Sequence, residues 1–246
     1  MGIFFSKKSY ISSGLFNGFT DIHAHILPYV DDGEQSRSDS INSLRWLYNN
    51  GVERLFLTPH VMSDFQDNTK QYLCEQFNSL TTALACDNIT DIPVLRLCAE
   101  YMLEPDFIKH LESGLLTYDK VHTLVETSYL TPPVGLYNIL EKILEEGYCP
   151  VLAHPERYVY MDSNDYASLK NAGIKFQLNI LSLTGSYGAS AVHKADVLLK
   201  NGYYDFAGSD FHNLRRHRRD FMRKDLNKSR IKELSVLFEN NNKLWV

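Results

Sequence analysis

The chain has 246 residues, enough for one large α/β domain, with 44% hydrophobic and 22% charged residues, the balance of an ordinary globular protein with a sizeable core. Its net charge of −5 and pI near 6.0 give no overall field for nucleic acid or an anionic membrane. No apolar run reaches membrane-spanning length.

The first eighteen residues read as an N-terminal extension, MGIFFSKKSYISSGLFNG, with basic residues after the short apolar patch and no small-residue cleavage site. That order does not suit a secretory signal. Gly2 and Ser6 match a short acylation pattern that recurs by chance. Cys74, Cys86, Cys98 and Cys149 form no CxxC pair and read as reduced thiols of a cytoplasmic protein.

The segment FTDIHAHILPYVDDG follows, with the alternating pair His23 and His25 at the end of a short apolar strand and Asp32 in the turn behind it. After it the chain repeats one unit: amphipathic helix, glycine, short apolar run, polar residue. SLRWLYNNG-VERLFLTPH ends on His60, ILEKILEEG-YCPVLAHPER on His154, LKNAG-IKFQLNI near Asn179, and ADVLLKNG-YYDFAGSDFH on Asp210 and His212. Gly51, Gly147, Gly173 and Gly202 stand where a helix ends and the chain enters the left-handed region. PVLRLCAE, ending on Glu100, and KVHTLVET, ending around Glu126, complete seven candidate strands. Each is mostly apolar, as parallel strands covered on both faces are. The expected architecture is a single-domain, distorted seven-stranded, TIM-like βα barrel over 19–246, with SRIKELSVLFENNNKLWV as a last helix and end segment.

In such a barrel the strand C-termini converge on one mouth. His23, His25, Asp32, His60, Glu100, Glu126, His154, Asp210 and His212 would meet there, a set of imidazoles and carboxylates without sulfur that suits two or three ions of Mn, Fe or Zn sharing bridging carboxylates. Three divalent ions would outweigh the four carboxylates by about two positive charges and attract a dianion such as a phosphate monoester. Clustered metals supply an acidified water and positive charge over the departing oxygen. Arg157, in HPER, is placed to grip phosphate oxygens. The run Arg215–Arg219 follows His212, and one of Arg216 or Arg218 is expected to meet substrate. Tyr29 and Tyr129 lie near enough to the mouth to stack on an aromatic substrate, whereas His110, His122, His193 and His217 read as structural. A cysteine-dependent route is excluded, because the residues six positions after the cysteines are Leu80, Ile92, Glu104 and Pro155 rather than arginine. There is no P-loop and no GxSxG elbow.

DIHAHILPYVDDG, LFLTPH, AEYML, VETSY, LAHPERY and GSDFHN resemble, in order, the motifs of the polymerase and histidinol phosphatase (PHP) superfamily, and most closely its manganese-dependent tyrosine-protein phosphatases of bacterial capsular and exopolysaccharide loci. HILPxxDDG and HPER are the specific parts, and the likeness runs from about residue 19 to about 220. The resemblance implies a three-metal barrel: His23, His25, Glu100 and Asp210 around one ion, His60, Glu126 and His154 with a bridging Glu100 around a second, and Asp32 and His212 at a third. Arg157 would bind phosphate. The family arginine five residues beyond the DxH histidine is replaced here by His217. The implied substrate is a phosphotyrosine protein, the cognate bacterial tyrosine kinase that controls polysaccharide assembly. The alternatives are a PHP phosphatase of a small metabolite such as histidinol phosphate, and a catalytically silent module that binds metal and phosphoprotein. No apolar stripe singles out an interface between copies, although the exposed helices leave room for an oligomer.

Overall fold

A computed structural model describes residues 7–223 and 225–246. Gly2 and Ser6 lie outside the described residues. Strand β1 (Phe19–Asp21) pairs in parallel with β2 (Val52–Leu57), and β2 with β4 (Val94–Leu97). A second, six-stranded parallel sheet runs β3 (His60–Val61), β5 (Glu100–Met102), β6 (His122–Glu126), β7 (Cys149–Ala153), β8 (Lys175–Asn179) and β9 (Phe206–Gly208). The expected seven strands are therefore nine, in two sheets that no continuous ladder closes into one barrel.

The extra strands arise from two interruptions. Thr58 and Pro59 separate β2 from β3, and Cys98 and Ala99 separate β4 from β5. Pro59 has no N–H for a ladder, and the Thr58 N–H turns to the Ala24 carbonyl (2.8 Å) instead of staying in register. An isolated parallel bridge joins Ala24 to Phe211, residues that lie beyond the ends of β1 and β9.

Most strands are connected by helices, among them α2 (Arg37–Asn49), α3 (Lys70–Cys86), α5 (Leu136–Glu145), α6 (Ser163–Asn171) and α7 (Gly188–Lys200). The four punctuating glycines, Gly51, Gly147, Gly173 and Gly202, all adopt positive φ just after a helix, as expected. Ile22, Phe56, Cys98, Leu124, Val151 and Phe206, from within or just beyond six different strands, meet in one apolar cluster that Leu244 also joins. The larger core lies between strands and helices. It includes Tyr10, Leu15 and Phe16, and Phe238 of α9 (Lys228–Asn241) stacks on Phe19 at 4.1 Å. The four cysteines are free.

Candidate metal centre

All nine predicted donors come together. They form four overlapping groups whose ligand atoms lie within 4.8 Å of one another: His25, Asp32, His60 and His212; His23, His25 and Asp210; His23, Glu100 and His154; and His60, Glu100 and Glu126. His154 shares its group with His23 and Glu100, while its Nε2 stands 3.9 Å from Glu126, a different partition from the one the resemblance implies.

Local backbone geometry aims these side chains. His154 and Asp210, just beyond β7 and β9, sit in the left-handed region at φ +35° and +53°. For residues with a Cβ this conformation costs free energy, on the order of 1–3 kcal/mol, and it persists where surrounding contacts hold it. The Asp210 N–H donates to the His23 carbonyl (2.9 Å) and the His154 N–H to the Gln177 carbonyl (2.9 Å). Gly33 permits the DDG turn to fold back, because a Cβ there would stand 1.9 Å from the His25 carbonyl oxygen.

Two residues absent from the expected set orient the paired histidines. Asp31 Oδ2 accepts from His25 Nδ1 (2.8 Å) and from the His60 backbone N–H (3.0 Å), while its Oδ1 accepts from the Gly33 N–H (3.0 Å). Gln177 donates its amide N–H to the Leu178 carbonyl, leaving Oε1 to accept from His23 Nδ1 at 3.0 Å. With each Nδ1 partnered from behind, both Nε2 atoms point into the centre, where they face each other at 3.1 Å and stand 3.1–3.5 Å from Glu100 Oε2 and Asp210 Oδ1. The doublet DD held the signal for Asp31, since consecutive turn residues point opposite ways; nothing local marked Gln177, which lies two residues before the end of β8.

The donor set fits metal. Glu100 Oε2, Glu126 Oε1 and His60 Nδ1 are buried without a hydrogen-bond partner, although His60 Nδ1 approaches the two carboxylates at 3.2 and 2.9 Å. Buried polar atoms are seldom left this way, and here several converge on one volume. Burial alone would raise the Glu100 and Asp210 carboxyls, yet His23 and further cationic and hydrogen-bonding neighbours hold both well below the usual carboxylate range. The hydrogen bond from His212 brings Asp32 down to about 2. These carboxylates are ionised and ready to ligate.

Arg157 closes one side. Its Nη1 donates to Asp210 Oδ2 (2.8 Å), and its guanidinium lies between the rings of Tyr129 and Tyr187, 4.3 and 4.1 Å from their centroids. Arg216, on α8 (Leu214–Phe221), packs against the Tyr187 ring at 4.9 Å. Arg218 lines a separate cleft with Gly33, Asn213 and Arg215. Tyr187 and Asn179 were not among the expected site residues; the Asn179 amide donates to Asp210 Oδ2 (2.7 Å). Tyr29 is 63% exposed. His217 is buried, its two ring nitrogens each 3.0 Å from a backbone carbonyl, of Asn213 and of Asp210. His122 pairs with Asp119. Neither these two nor His110 and His193 join the donor groups.

Among the described residues no helix is long and apolar enough to cross a membrane. The chain is 28% identical over 204 residues to tyrosine-protein phosphatase YwqE of Bacillus subtilis, covering 79% of this chain and 78% of that one. It is 28% identical over 203 residues to tyrosine-protein phosphatase CpsB of Streptococcus pneumoniae, covering 79% and 83%. A crystal structure from work on YwqE and CpsB, described as metal-dependent tyrosine phosphatases, superimposes with a TM-score of 0.80 at 24% identity over 92% of this chain and 94% of that one, a likeness of fold. The family model for capsular polysaccharide synthesis, CpsB/CapC, matches residues 19–243, and the chain belongs to that family.

Proposed function

We propose that this protein is a metal-dependent protein-tyrosine phosphatase. The observation that carries the reading is the convergence of His23 and His25 Nε2, 3.1 Å apart, with the Glu100 and Asp210 carboxylates, beside an arginine held between two aromatic rings. Two or three ions of manganese, or of iron or zinc, suit His23, His25, Asp32, His60, Glu100, Glu126, His154, Asp210 and His212. Held there, they supply Lewis-acid charge to the phosphoryl group and to water.

The chain's own residues do the rest. Arg157 binds phosphate oxygens with its forked donors, and Tyr129 and Tyr187 fix the plane of that fork. Arg216, on the Tyr187 ring, is the second guanidinium within reach, standing in for the family arginine that His217 replaces here. Tyr129, 36% exposed, offers a ring edge to an aromatic leaving group. Phenolate, with a pKa near 10, departs more readily than an alkoxide and depends less on a general acid.

Pairing β2 with β3 and β4 with β5 as interrupted strands gives seven βα units, and we read the fold as a distorted seven-stranded barrel spanning 19–246, with Tyr10, Leu15 and Phe16 of the preceding segment packed into its core. Membership in a capsule-synthesis family supports a phosphorylated tyrosine kinase of the same system as the physiological substrate, in the cytoplasm.

The test is phosphate release from a phosphotyrosine peptide by manganese-loaded protein, stripped protein and a His154→Ala variant. Metal-dependent release abolished by the substitution is expected. Faster turnover of histidinol phosphate than of the peptide would reassign the site to a small metabolite.

A further inference from the structure

Helix α8 carries Arg215, Arg216, Arg218 and Arg219 in a chain of net charge −5. Two of the four are engaged: Arg216 lies on Tyr187, and Arg219 Nε donates to Asp220 Oδ1 at 2.7 Å. Arg215 and Arg218 are exposed, and among the described residues neither has a carboxylate within ion-pair distance. Three positions apart on one helix, they share a face, where like charges repel.

Both arginines line a cleft of about 940 Å³ between α8 and the segment from Gly33 to the first turns of α2. Its other charged groups each have a partner, Arg219 on Asp220 included, and three guanidiniums line it against two carboxylates. The Glu34 carboxylate is buried and accepts from the Ser43 hydroxyl, while Asp39 accepts from the Ser36 hydroxyl (2.6 Å) in the first turn of α2. The cleft begins where the metal centre ends: Gly33 follows Asp32, Asn213 follows His212, and Asp32 Oδ1 stands 3.4 Å from His212 Nε2. An extended peptide advances roughly 3.3–3.6 Å per residue, so side chains a few positions from a residue at the centre reach Arg215 and Arg218.

We propose that this cleft docks the acidic residues flanking phosphotyrosine in a protein substrate, with Arg215 and Arg218 receiving their carboxylates. The proposal rests on the phosphatase reading and adds sequence preference to it. A small aryl phosphate does not extend to Arg215 and Arg218, so that arginine pair acts on peptides alone.

The experiment compares manganese-loaded wild type, Arg215→Glu and Arg215→Glu/Arg218→Glu on two phosphotyrosine peptides, one flanked by aspartates and one by serines, and on p-nitrophenyl phosphate. Wild type is expected to favour the aspartate peptide by about tenfold in kcat/KM at low salt, through KM, with the preference shrinking at roughly 0.5 M salt. The preference should fall several-fold in the single variant and vanish in the double, while Arg215→Glu leaves p-nitrophenyl phosphate turnover unchanged. An equal preference in all three proteins, or none in wild type, overturns the docking proposal. Failure of wild type to turn over any of the three substrates would sink the phosphatase reading instead. In that case fluorescence anisotropy with the labelled aspartate phosphopeptide decides the docking: weaker binding by Arg215→Glu sustains it, and equal binding removes it.

Discussion

His23 and His25 point their Nε2 atoms at one another across 3.1 Å, each ring held from behind at Nδ1 by Gln177 Oε1 and Asp31 Oδ2. Two imidazole nitrogens that close, with the Glu100 carboxylate beside both, are placed to share a cation. Metal binding should therefore stabilise the folded chain: at a free metal concentration of one hundred times Kd the linkage is worth about 2.7 kcal/mol. A thermal melt with and without chelator reads this, and coincident midpoints would count against a metal centre.

Asp31 acts on metal through His25. Asp31→Asn keeps the size but removes the charge that the His25 N–H meets, and such partners typically matter by about 10–100-fold in metal affinity. Calorimetric titration of manganese into the stripped variant checks it; wild-type affinity would show that His25 is held by packing alone.

Gly33→Ala should damage the site without touching a donor. The new Cβ would meet the His25 carbonyl oxygen at 1.9 Å, so the turn bearing Asp31 and Asp32 must move. A folded protein with reduced metal content is expected, measured by circular dichroism alongside metal analysis.

The ring of Tyr187 matters more than its hydroxyl, whose two hydrogen bonds, from the Asn179 amide (3.3 Å) and to Asp210 Oδ2 (3.4 Å), are both long. Tyr187→Phe should therefore behave nearly as wild type. Tyr187→Leu frees Arg157 and Arg216 together; losing two partly buried cation–π contacts of roughly 1 kcal/mol each predicts a KM raised about tenfold or more, with kcat less affected. Equal kinetics for the two variants would show that Asp210 and Tyr129 suffice to place Arg157.

His217 gives the acid side of the stability profile a defined slope. Burial depresses its pKa from 6.5 to about 4, so the unfolded chain binds the proton first. A depressed histidine contributes stability that is present above pH 6.5 and lost as pH falls from 6.5 toward 4, up to about 3 kcal/mol by proton linkage. In His217→Gln, unfolding free energies by denaturant titration should fall less steeply across that window.

Much of the centre was legible because a βα repeat turns distance along the chain into proximity: whatever ends one strand lies beside whatever ends the next. The donors from His23 to His212 are polar exceptions at the ends of apolar runs, and periodicity exposes such exceptions. Neither Asp31 nor Gln177 breaks a pattern in that way. Asp31 sits in the same turn as Asp32, and only the fold-back that Gly33 permits puts it behind His25. Gln177 is one polar residue within a strand, and its role exists because β8 and β9 carry it beneath His23. The division of β2 from β3 was also hidden, since Pro59 breaks a ladder only once Ala24 offers Thr58 another partner. Likewise the four arginines of α8 are one charge run to the sequence. The tertiary structure separates them into a guanidinium on Tyr187, one bound to Asp220 and two facing a cleft, because the contacts that distinguish them come from other elements. Residue type and spacing determined the metal-binding chemistry and the elements that carry it. The three-dimensional packing decided which nitrogen of each paired histidine faces the centre, and which arginine meets which partner.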